Sequence, residues 1–150
     1  MRRLILVVAA AMGAIILLAP YAVADTVWQK GTQVPESAVS FDFFTYSWPE
    51  DRPCDPNGME AVVAVKLVGD YVYVYDDCKD GRSAIAAITG HEDGHFHKRY
   101  CRNLHGKGTW ARCNFDWPEG SAKNLIGGSY NGDTGDLHWS YGNTKTWTQG

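Results

Sequence analysis

Two short apolar runs in the middle of the chain limit its fold more than any other feature of the sequence. Residues 61–68 read Ala-Val-Val-Ala-Val-Lys-Leu-Val, residues 71–75 read Tyr-Val-Tyr-Val-Tyr, and only Gly69-Asp70 separates them. β-Branched and aromatic residues fit a pleated surface, and the alternation of the second run has the period of a strand. A two-residue connection with glycine first suits a type II′ turn, so the pair predicts an antiparallel hairpin. A lone hairpin is marginal in water and must bury one face against further strands or a helix. The chain has no long segment of clean helical period, which leaves other strands as the partner.

Those strands are signalled on both sides of the hairpin. Residues 39–46 alternate aromatic and polar positions. Downstream, Asp80-Gly81, Gly94, Gly106 to Gly108, Gly127-Gly128 and the 131–136 stretch punctuate candidate strands at 83–89, 96–101, 109–115, 123–130 and 137–141. Segment 83–89 is the ambiguous one, because its alanines favour helix and its length does not decide. Recurrence at this spacing predicts an all-β fold, a two-sheet antiparallel β-sandwich of about seven to eight short strands. The sandwich is placed at 38–150, after a loosely structured segment 25–37 with a polar mix and Pro35.

Residues 1–24 have the layout of a secretory signal: Arg2 and Arg3, an apolar run of 16 residues at 4–19, Pro20, and the small residues Ala22 and Ala24 at the end. The run is short for a bilayer, which needs about 20 apolar residues in a helix. Cleavage before Asp25 leaves 126 residues, enough for one domain, with 12 basic residues against 17 acidic ones and a net charge of −5. That balance disfavours nucleic acid and anionic membrane, both of which bind chiefly through cation contacts to phosphate. The expected location is therefore extracellular, the expected state a monomer, and no soluble cofactor is implied.

All four cysteines, Cys54, Cys78, Cys101 and Cys113, fall after the signal, and an even number in an exported chain reads first as two disulfides. Of the three pairings, Cys54 with Cys78 and Cys101 with Cys113 is preferred, since it keeps each bridge inside one hairpin-sized unit. No CxxC or similar close pair suggests a zinc site.

The stretch from about 60 to 120 carries Gly69-Asp70 before Val72, Val74 and Asp76, then Asp80-Gly81-Arg82-Ser83-Ala84. It continues with Cys101-Arg102-Asn103, Gly106-Lys107-Gly108-Thr109-Trp110, Cys113-Asn114 and Pro118-Glu119-Gly120. In these residues the chain resembles small secreted actinobacterial β-sandwich-like proteins of unassigned function. The motifs are turn and disulfide residues, so the resemblance implies a fold and export but no catalytic residues.

His91-Glu92-Asp93-Gly94-His95 spells HExxH. In zinc metalloproteases that motif lies on a helix, so that the two histidines grip Zn²⁺ one turn apart while the glutamate acts as general base. Here Asp93-Gly94 falls inside it and reads as a turn, the glycine alone costing a helix about 1 kcal/mol. The extended pattern needs glycine and histidine where Lys98 and Cys101 stand. A metalloprotease using His91, Glu92 and His95 is accordingly one alternative. Metal binding without catalysis through His91, His95 and His97 is another, because on a strand His95 and His97 share a face. On the plainer reading both histidines face solvent while Phe96 and Tyr100 turn inward. Other motifs fail: at 76–87 an EF-hand would need glutamate where Ala87 stands, and no Gly-x-Ser-x-Gly elbow occurs.

Tyr71, Tyr73 and Tyr75 form a stripe on one face of their strand. If Val72 and Val74 point inward, the stripe is a contact surface for carbohydrate or protein; if the tyrosines pack between sheets, the valines are outside. The functional expectation is a secreted, disulfide-stabilised binding or interaction module without catalytic activity, its partner an extracellular protein or carbohydrate.

Overall fold

Val63, Val65, Val72 and Val74 are wholly buried on one face of the central hairpin, so it is the valines that turn inward. The chain is described from a computed structural model covering residues 25–49, 54, 58–92, 94–140 and 143–148. The segment 1–24, with its expected signal, lies outside the described residues. Among the described residues eleven strands run in order as β1 (Asp25–Lys30), β2 (Thr32–Val34), β3 (Phe43–Ser47), β4 (Ala61–Lys66), β5 (Tyr71–Asp76) and β6 (Ser83–Glu92). They continue as β7 (His95–Arg102), β8 (Thr109–Asn114), β9 (Ala122–Tyr130), β10 (Leu137–Trp139) and β11 (Lys145–Thr148).

Two sheets pack face to face as a β-sandwich. Sheet A has the order β1-β7-β6-β9-β10, with β11 also pairing β9; sheet B has the order β2-β8-β5-β4-β3. Every pairing is antiparallel except β1 with β7. The layer between the sheets holds the four valines with Ile88, Leu125, Phe115, Trp117 and Trp147. A core of this kind supplies the main drive to fold, at roughly 25 cal/mol per Å² of apolar surface removed from water.

Three departures from the sequence reading concern the strands and their turns. Among the described residues eleven strands replace the seven or eight expected. The segment 25–37, expected to be loosely structured, forms β1, β2 and a single 3-10 turn at Glu36–Ala38. Both strands lie at sheet edges and are not joined to their partners by a hairpin, so no turn signal announced them. Between them the chain passes from sheet A to sheet B at Gly31, where a Cβ would stand 2.8 Å from the Ala111 Cβ. Only glycine permits that approach. The segment 83–89, a candidate strand made ambiguous by its alanines, is by contrast a strand as expected: it is the start of β6, the ten-residue central strand of sheet A, whose alanines are buried. Finally, the β4–β5 connection is four residues long: Asp70 N–H donates to the Leu67 carbonyl at 3.4 Å, and Gly69 occupies the third position with φ 90°. That is the demand of a type II turn rather than the type II′ turn expected. Leu67 has left the strand, its N–H donating to Asp42 Oδ2 at 2.7 Å.

The disulfides join Cys54 to Cys78 and Cys101 to Cys113. The second is not internal to a hairpin: Cys101 lies on β7 of sheet A and Cys113 on β8 of sheet B, so the bridge fastens the two layers through the core. Two fully buried polar side chains are matched to several partners each, as burial requires. Asn103, fully buried, donates through Nδ2 to the carbonyls of Val74 at 3.1 Å and Thr109 at 2.8 Å, while its Oδ1 accepts from His105 N–H at 2.9 Å. Lys123, 1% exposed, donates to the carbonyls of Pro118 and Ser121.

Asp76 is matched on one oxygen, where the Cys78 N–H donates to Oδ1 at 3.2 Å, while its Oδ2 is buried without a hydrogen-bond partner. It is 2% exposed at the end of β5, and burial pushes its carboxyl up from 3.8 to about 6, only partly offset by the Cys78 and Ala84 N–H groups. A carboxyl whose folded pKa exceeds its unfolded one binds its proton better in the native state. Stability therefore falls as pH rises from about 4 to about 6, by on the order of 2–3 kcal/mol, and the penalty is complete above pH 6. Urea titrations at pH 4, 5, 6 and 7 should show this slope in the wild type and its loss in Asp76→Asn; parallel pH profiles would show that Asp76 is not the responsible group.

Candidate functional site

Residue parity along β7 is fixed by one bond. Cys101 must face the core to reach Cys113, so the odd positions point inward and Phe96, Lys98, Tyr100 and Arg102 point outward. This reverses the expectation that Phe96 and Tyr100 turn inward. The register carries the same phase across sheet A: Trp28 lies opposite Tyr100, which lies opposite Ala87, which lies opposite Ile126. Outward on the next row stand Lys98, Thr89, Asn124 and Thr146.

These rows form an open groove of about 430 Å³ on the outer face of sheet A. Ala87 and Ile126 are its floor, Tyr100 and Phe96 rise on the β7 side, and Trp139 and Thr144 on the other. Thr89, Asn124 and Lys98 make one end polar. The small floor residues matter as much as the walls, since bulk on β6 or β9 would fill the trough.

The walls hold one another in place. Tyr100 and Trp139 stack with centroids 5.7 Å apart and planes at 20°, and Trp28 closes on Tyr100 at 4.4 Å and on Tyr130 at 5.4 Å. Arg102 lies over the Tyr130 ring at 4.4 Å and Lys98 over Phe96 at 5.4 Å. Trp28 remains 44% exposed, so the aromatic ridge is open to solvent at the β1 edge.

Trp139 depends on two devices. β10 is three residues long, and His138, the neighbour of Trp139, points to the opposite face, its Nδ1 3.2 Å from Oε2 of the buried Glu60. That contact ties β10 to the segment leading into sheet B and thereby turns Trp139 outward. On β9, Trp139 pairs with Gly128 and its ring covers that glycine: a Cβ there would come within 2.8 Å of Trp139 Cε3 and would be driven into the His138 carbonyl. The Gly127-Gly128 pair, read from sequence as turn punctuation, lies inside β9. Glycine within a strand marks a close approach, and that signal was available.

The sites singled out in the sequence fare differently. His91 and Glu92 end β6, His95 opens β7, and Gly94 lies in the turn between them. The HExxH spelling thus falls on a hairpin, where its histidines cannot share the helical face that metalloprotease chemistry needs. His91 lies on the outer face against Phe96, ring centroids 5.1 Å apart, whereas His95 and His97 share the inner face, so the cluster is divided by the sheet. His97 Nδ1 stands 3.9 Å from Asp25 Oδ2 on β1. Among the described residues three residues with metal-ligating atoms converge, Cys54, Cys78 and Asp80, but both sulfurs are already joined in a disulfide.

Tyr71, Tyr73 and Tyr75 do lie on the outer face of sheet B. Tyr71 lies under Arg112 at 4.6 Å, Tyr75 packs on Trp110 at 5.0 Å, and Tyr73 is 3% exposed. The open aromatics of that side include Phe44, with Phe41 edge-on against it at 5.5 Å, and Trp48, beyond the stripe at the β3 edge. The described residues include no helix long and apolar enough to cross a membrane. Comparison with protein-family models, curated proteins and solved structures found nothing that matches this chain.

Proposed function

We propose that this is a secreted, disulfide-stabilised binding module without catalytic activity, and that it takes carbohydrate in the groove on sheet A. The observation that carries the reading is the groove's division into an aromatic part, Tyr100, Trp139 and Phe96, and a hydrogen-bonding end, Thr89, Asn124, Thr144 and Lys98. A sugar ring has the same division, with apolar C–H faces that stack on aromatic rings and hydroxyls that need donors and acceptors at the edge. An open trough also lets a polymer continue past either end. Two disulfides suit an oxidising compartment.

The test is a glycan array probed with the wild type, Trp139→Ala and Trp110→Ala, the last on the opposite sheet. Trp139→Ala should lower affinity at least tenfold, about 1.4 kcal/mol, while Trp110→Ala leaves it within a factor of two or so. Loss of binding in Trp110→Ala alone would move the site to the tyrosine face of sheet B.

A further inference from the structure

The charges of this protein are sorted by place. The chain has 17 acidic residues against 14 basic ones. Yet the strand positions on the outer face of sheet A include Lys30, Lys98 and Arg102 and no aspartate or glutamate. Among the described residues, Asp25 on β1 points to the inner face, and Asp133 and Asp136 stand in the loop between β9 and β10. A chain acidic overall therefore presents a cationic, aromatic face where the groove lies.

Within the groove Lys98 is the one charged residue of the lining. Its ammonium stands over the Phe96 ring, and among the described residues no carboxylate lies in ion-pair range of it; Lys66 on sheet B, by contrast, has Asp42 at 3.6 Å. The Lys98 charge is thus held at the rim by an aromatic face while remaining available to a ligand. Partial enclosure by the walls lowers the effective dielectric and strengthens attraction to an anion relative to open water.

We propose, resting on the carbohydrate reading above, that the ligand is an acidic glycan: its pyranose ring lies against Trp139 and Tyr100, and its carboxylate pairs with Lys98. Asn124 and Thr89, on the same row as Lys98, meet the hydroxyls beside that carboxylate.

The experiment is calorimetric titration with hexuronate oligosaccharides of gluco, galacto and manno configuration, each beside its carboxyl-reduced neutral counterpart, against the wild type, Lys98→Met and Trp139→Ala. At least one uronate should bind about five- to tenfold tighter than its reduced form, and weaken as salt rises from about 50 to 500 mM. Lys98→Met should erase the difference between the two forms, and Trp139→Ala should weaken both. Neutral sugars binding as well as the uronates, with Trp139→Ala still weakening them, would overturn the acidic preference and leave the groove reading standing. Binding of neither form would overturn both. Lys98→Met should leave the melting temperature unchanged, and Trp139→Ala, which also loses packing, is titrated well below its own melting temperature, so that a loss of binding reports contact rather than unfolding.

Discussion

Gly128→Ala lowers stability by about 4 kcal/mol and takes Trp139 out of the groove. The added methyl would be driven into the backbone carbonyl of His138 and towards the Trp139 ring. A carbonyl on a paired strand cannot step aside as a flexible side chain can, so the clash is relieved only by separating β10 from β9. Overpacking in a closed interior costs about 1–3 kcal/mol, and losing the packing of a tryptophan about 3–5; the strand separation draws on both. Gly127→Ala is the matched control. Its Cβ would meet a Val63 methyl at 3.3 Å, a contact that a few tenths of an ångström relieves, and it should cost about 1 kcal/mol. Urea denaturation of the two variants, with glycan binding measured alongside, separates them: equal stabilities would show that Gly128 is not the seat of Trp139.

The double replacement Cys101→Ala, Cys113→Ala should cost a similar amount, about 4 kcal/mol, and lower the melting temperature by about 15 °C. The bridge closes a sequence separation of 12, which the chain-entropy account values at about 3 kcal/mol. The remainder comes from two sulfurs that lie in the layer between the sheets, 0% and 3% exposed, and leave unfilled space when removed. Because the bond also sets which side chains of β7 face outward, glycan affinity should fall with it. Differential scanning calorimetry of the oxidised variant pair is the check, and a loss below about 1 kcal/mol would mean that the sheets hold together without the staple.

What the sequence disclosed followed from local chemistry. The alternation at 71–75 predicted a strand, Gly69-Asp70 predicted a reversal, and the glycine-rich breaks placed the strands that begin near 83, 96, 109, 123 and 137. Each of those signals acts over a few residues. The β1 and β2 strands were illegible because their partners, β7 and β8, lie about 70 residues or more along the chain, and edge pairing leaves no turn signature. The groove was hidden for the same reason: Trp139, Asn124, Lys98 and Ala87 come from four places in the sequence and meet only through register. His91-Glu92-Asp93-Gly94-His95 shows the opposite hazard, a motif whose letters are present and whose helix is not. Its own Asp93-Gly94 was the physical reason to read a turn there.

The central claim is that ligand meets the outer face of sheet A at the trough between Tyr100 and Trp139. The most direct test is a titration of ¹⁵N-labelled protein with a hexuronate oligosaccharide, followed by backbone and tryptophan side-chain NMR shifts. Perturbations should gather at Ala87, Thr89, Lys98, Asn124, Ile126 and the indole N–H of Trp139. Shifts gathered instead at Tyr71, Tyr75 and Trp110 would contradict the claim.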